Sequence, residues 1–110
     1  MAYSEILAQR LTKILETKKG ISNRKMFGGL CYMLNGNMLC GIVDDKLMAR
    51  VGPEQYDNAL KHEYCTEMDF TGKPLKGMVY VLPEGIESKR SLKKWIDMCI
   101  AFASILPKKK

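Results

Sequence analysis

Two dipeptides that favour positive φ, Asn35-Gly36 and Asp44-Asp45, divide the stretch from Arg24 to Val51 into three apolar runs. Runs joined by such short turns fold as an antiparallel meander, and the turns set its register. Centring the first turn on Asn35-Gly36 pairs Leu34 with Asn37, Met33 with Met38, Tyr32 with Leu39 and Cys31 with Cys40. The second turn is centred on Asp44-Asp45 in the same way. Side chains alternate across a strand, so one face is expected to carry Cys31, Met33, Met38, Cys40, Ile42, Leu47, Ala49 and Val51. All of these are apolar, which predicts that helices pack on that face. The opposite face is expected to carry Leu30, Tyr32, Leu34, Asn37, Leu39, Gly41, Val43, Lys46, Met48 and Arg50, an unusually apolar set for a side that meets water.

Around the meander, helix signals are clear. Ser4 is a suitable N-cap, Leu7, Leu11, Ile14 and Leu15 recur at helical spacing, and Lys18, Lys19 and Gly20 suit a C-terminus, predicting a helix over about 4–19. Residues 21–25 read as a polar link. Gly52-Pro53-Glu54 opens a second helix with proline at the first helical position, where its missing N–H does no harm. Strands are expected at 66–70 and 77–82, with the loop 71–76 between them. Ser88 then caps a long helix carrying Leu92, Trp95, Ile96, Cys99, Phe102, Ala103 and Leu106, which Pro107 ends. The order α-β(3)-α-β(2)-α argues for an α+β, two-layer sandwich of one antiparallel sheet with helices on one side. The 110 residues, 46% of them apolar, form one expected domain with a basic tail at 107–110.

Composition removes several classes of function. The net charge of +6 falls to +3 without Lys108, Lys109 and Lys110, so the bulk of the domain is only mildly basic. No apolar run approaches bilayer length and no secretory leader is visible, which predicts a cytoplasmic protein with no membrane partner. Cys31, Cys40, Cys65 and Cys99 form no C-x-x-C pair and His62 is the sole histidine, so no metal or cofactor is expected. Gly28-Gly29 fits neither phosphate-binding glycine motif and reads as a bend beside Phe27. With acidic residues scattered over turns and helix surfaces, no convergent catalytic constellation emerges, and a non-enzymatic role is predicted.

Three features remain as candidate sites. The apolar outer face, with Leu30, Tyr32, Leu34, Leu39, Val43, Met48 and Arg50, predicts a protein partner or a homodimer, because monomers seldom expose large contiguous apolar patches. A second reading gathers Arg24, Lys25, Lys89, Arg90, Lys93 and Lys94, with Lys73 and Lys76, into an anion-binding or nucleic-acid patch that Glu84 and Glu87 would partly screen. A third notes that the register sets Cys31 directly opposite Cys40, so that a thiol redox switch is conceivable, although buried thiols are the commoner state in a reducing cytosol.

Arg24-Lys25-Met26-Phe27-Gly28-Gly29-Leu30, the Asn35-Gly36 turn, Met38 to Val43, KLMARV, the late MVYVLP segment and the Trp-containing last helix together resemble the amino-terminal domain of the TfoX/Sxy competence-regulator family. The likeness runs through nearly the whole chain, with Met-Phe-Gly-Gly its most specific element. It implies the sandwich shared with type III secretion chaperones, a regulatory or adaptor role in competence, and no catalytic residues. Full-length members of that family carry a second, carboxy-terminal domain; this sequence stops after its last helix and is expected to act as a stand-alone module.

Overall fold

A computed structural model describes residues 3–26, 29–67 and 77–106. Helix α1, Glu5–Leu15, starts where expected: Ser4 Oγ accepts the Leu7 N–H at 3.2 Å. It buries Leu7, Leu11 and Leu15 and ends earlier than its sequence suggests. Glu16, Thr17, Lys18 and Lys19 are all exposed, so no apolar anchor holds another turn.

The segment read as a polar link is instead a strand. β1, Ile21–Met26, pairs antiparallel with β2, Gly29–Leu34. Its exposed Ser22, Asn23, Arg24 and Lys25 gave no apolar alternation, because this is an edge strand, where charge deters pairing with other chains. The remaining elements are β3 (Asn37–Val43), β4 (Lys46–Arg50), α2 (Pro53–Leu60), β5 (Cys65–Glu67), β6 (Met78–Val81), a 3₁₀ turn at Pro83–Ile86 and α3 (Lys89–Ala103). One six-stranded sheet in the order β1-β2-β3-β4-β6-β5, antiparallel at every step, makes the fold α+β. Ser88 caps α3 by accepting the Ser91 N–H at 3.0 Å. The second half of the strand expected at 66–70, the loop 71–76 and the Pro107 stop lie outside the described residues.

The turns behave as their sequences require. Asn35 (φ 52°), Gly36 (φ 83°) and Asp44 (φ 55°) are all left-handed. β3 and β4 keep the expected register, Cys40 opposite Ala49 and Val43 opposite Lys46. The first hairpin keeps it only for Leu34–Asn37 and Met33–Met38. Beyond these the register shifts, and Tyr32 faces Cys40, Cys31 faces Gly41 and Leu30 faces Ile42. Leu39 is the extra residue of a β-bulge, so Leu39 and Cys40 both join the core beneath the helices.

Counted from β4 and the Cys40–Val43 half of β3, where the expected faces hold, one inserted residue inverts Met38 and the whole of β2. Tyr32, Leu34 and Leu39, expected on the open face, are buried under the helices, and Leu30 packs against the same core. Cys31, Met33 and Met38, expected inside, belong to a separate cluster on the other face. Tyr32 shows the change most plainly: it is 2% exposed, and its hydroxyl lies 3.0 Å from Thr12 Oγ1 while donating to the Ala8 carbonyl at 3.1 Å. The expected inward positions of Ile42, Leu47, Ala49 and Val51 hold, and on them sit α1, α2 and α3, with α3 over β3 and β4.

Candidate interaction site

The sheet face turned away from the helices centres on Gly41. It lies opposite Cys31 on β2 and Met48 on β4. A Cβ at Gly41 would stand 2.5 Å from Met48 Cε, so the bare backbone forms the shelf along which Met48 lies. Cys31 and Met48 are fully buried, and Met33, Met38, Val43, Met78 and Tyr80 pack around them, half-buried. Lys46 Nζ sits 5.4 Å from the centre of the Tyr80 ring, a cation–π contact beside the cluster. Among the described residues every buried helical side chain belongs to the other cluster, so no described helix roofs this face.

Four methionines give the face its chemistry. Unbranched and polarisable, methionine fits partners of varied shape where a branched side chain would demand one. Of the residues expected to form an association surface, Val43 and Met48 are on this face. Arg50 is held by its own chain, donating to the Met38 carbonyl at 3.3 Å with its guanidinium carbon 5.3 Å from the Phe102 ring centre. Leu30, Tyr32, Leu34 and Leu39 are turned into the core, and Met33, Met38, Met78 and Tyr80 take their place. Gly41 is the sequence's own sign of the bulge, since a glycine inside a strand suggests one nearby.

The bulge also parts the two cysteines expected to face each other. Cys31 pairs with Gly41 and Cys40 with Tyr32, which sets the thiols on opposite sides of the sheet, and no disulfide spans that pair. Burial pushes the Cys31 thiol up, holds Cys40 well above the usual thiol range, and lifts Cys65 to about 11 and Cys99 to about 12. Thiols so shifted stay protonated at neutral pH and are poor nucleophiles.

The predicted basic cluster is dispersed. Arg24 and Lys25 lie in edge strand β1, whereas α3 sits over β3 and β4. Lys89 and Lys93 flank a cleft shared with Arg10 and Lys13 of α1. Lys94 points to the other flank of α3, among Glu63, Glu84 and Ser91, and exposed Arg90 lies in the first turn. Lys73 and Lys76 lie outside the described residues, as do Phe27 and Gly28. His62 is exposed and meets Trp95 edge-to-face at 5.1 Å. Among the described residues no three His, Cys, Asp or Glu side chains are grouped to hold a metal, and no helix is long and apolar enough to cross a membrane.

The model of the TfoX N-terminal domain family matches residues 13–103. No curated protein and no solved structure matches the chain.

Proposed function

Because the chain belongs to the TfoX N-terminal domain family, we propose that it is a non-catalytic regulatory domain that acts in the cytoplasm by binding protein across the methionine-rich face of its sheet. The observation that carries this reading is the second apolar cluster, built around Cys31 and Met48 with no described helix above it. The family is regulatory in type and is not a known enzyme family. The simplest occupant of such a face is a second copy of the chain, since a two-fold axis lets one patch bury itself. Nucleic-acid association through the basic residues has less support, because those cations are divided between β1 and the two flanks of α3.

Sedimentation velocity on the wild type and on Met38→Lys tests the proposal, with the far-UV spectrum and melting curve confirming that the variant is folded. The expected result is a dimer that becomes a monomer on substitution. A wild type that stays monomeric at high concentration, and whose capture of host proteins is the same with or without Met38→Lys, overturns it.

A further inference from the structure

On the helix layer, away from the methionine face, α1 and α3 leave a cleft of about 560 Å³ lined by Arg10, Lys13, Ile14, Glu87, Lys89, Leu92 and Lys93. We propose that this cleft binds a small organic anion with an apolar body, an alkyl or aryl phosphate or carboxylate. Its volume falls within the roughly 300–1,000 Å³ usual for small-molecule sites. Half-buried Ile14, in a wall that Leu92 completes, supplies apolar lining for which a bare inorganic anion has no use.

Charge favours an anion over a neutral ligand. Four cations line the cleft against one carboxylate, Glu87. Arg10 is a fixed part of the wall: its guanidinium donates to the Ile86, Glu87 and Ser88 carbonyls at 2.5, 3.2 and 3.4 Å, tying α1 to the start of α3. Lys93 reaches Asp97 at 2.9 Å, an ion pair exposed at both ends and so open to exchange. Among the described residues Lys13 and Lys89 form no ion pair, and α3 has no acidic residue in its first turn, so the positive end of its dipole adds to their field. An anion held between Lys13 on one helix and Lys89 on the other would pair with both cations while its body covers Ile14.

Titration with octyl phosphate below its aggregation concentration, followed through the methyl resonances of Ile14 and Leu92, tests the site. Octanol and inorganic phosphate are the comparison arms. Octyl phosphate is expected to saturate with shifts centred on those two methyls, and each comparison probe to bind roughly ten-fold more weakly or worse. The double substitution Lys13→Glu with Lys89→Glu is expected to cost a similar factor in octyl phosphate affinity with the melting temperature little changed, both side chains being exposed. Equal binding of octanol, equal binding of inorganic phosphate, unchanged affinity in the double variant, shifts centred on the methionine methyls, or no binding at all would each overturn the proposal. Loss of the dimer in Met38→Lys has no bearing on it, because the two surfaces belong to opposite layers.

Discussion

The two faces of the sheet are built from different apolar residues and are covered to different degrees. Beneath the helices stand Leu39, Ile42, Leu47, Val79 and Val81, branched side chains that fill one shape. On the other face stand Met33, Met38, Met48 and Met78, which adapt to many. The first set specifies one packing, and the second offers an adjustable surface; a single bulge in β3 settled the places of Leu39, Met38 and the β2 residues.

Neighbouring substitutions on β3 test the contrast most directly. Leu39→Ala is expected to cost about 2–5 kcal/mol, as for any fully buried leucine, and to lower the melting temperature by roughly 10 °C or more. Met38→Ala, one residue away on the other face, is expected to cost less than about 1 kcal/mol in the monomer, since its half-exposed side chain leaves no closed cavity. Equal losses in thermal unfolding would erase the distinction between the faces.

Alkaline unfolding sharpens it next. Cys99, fully buried on the helix side, has its thiol lifted from 9.0 to about 12 by desolvation. A folded-state value above the unfolded one means that the stabilisation is complete below pH 9 and is lost as pH rises from there towards 12. In that window Cys99 alone removes up to about 1.4 kcal/mol per pH unit, and Cys99→Ala should flatten the decline in denaturant titrations at successive pH values. Cys31 on the other face moves in the same direction, so Cys31→Ala tests whether the two faces share the effect.

Gly41 is where the faces meet through the backbone. Its added methyl in Gly41→Ala would crowd Met48 Cε and the Leu30 carbonyl, at 2.5 and 2.8 Å, and is expected to lower stability by about 1–3 kcal/mol in urea unfolding. The smallest effect is assigned to Tyr32→Phe, about 1 kcal/mol, from the loss of the hydroxyl shared with Thr12 and Ala8. If Tyr32→Phe left stability unchanged, the tie between β2 and α1 would be packing alone.

Much of the fold was legible because its signals are local. Ser4 and Ser88 cap helices, Asn35-Gly36 turns the chain, and the leucine spacing in α1 and α3 marks their buried stripes. β1 was not legible, since an edge strand of polar residues carries no alternation. The face assignment failed for a different reason: the pairing set by the Asn35-Gly36 turn held for two pairs, but the bulge at Leu39 put Met38 and all of Leu30, Cys31, Tyr32, Met33 and Leu34 on the faces opposite to those expected. The cleft between α1 and α3 had no sequence signature, because Lys13 and Lys89 are 76 positions apart and meet only through helix packing.

Sequence alone determined where this chain bends, where its helices start, and that its fold is α+β, because caps, turns and periodicity depend on residues within a few positions of each other. Tertiary structure decided which apolar residues became core and which became surface. A strand can present the same side chains to either face, and only the fit of Leu39, Cys40 and Tyr32 beneath the helices selects the bulged register over the regular one.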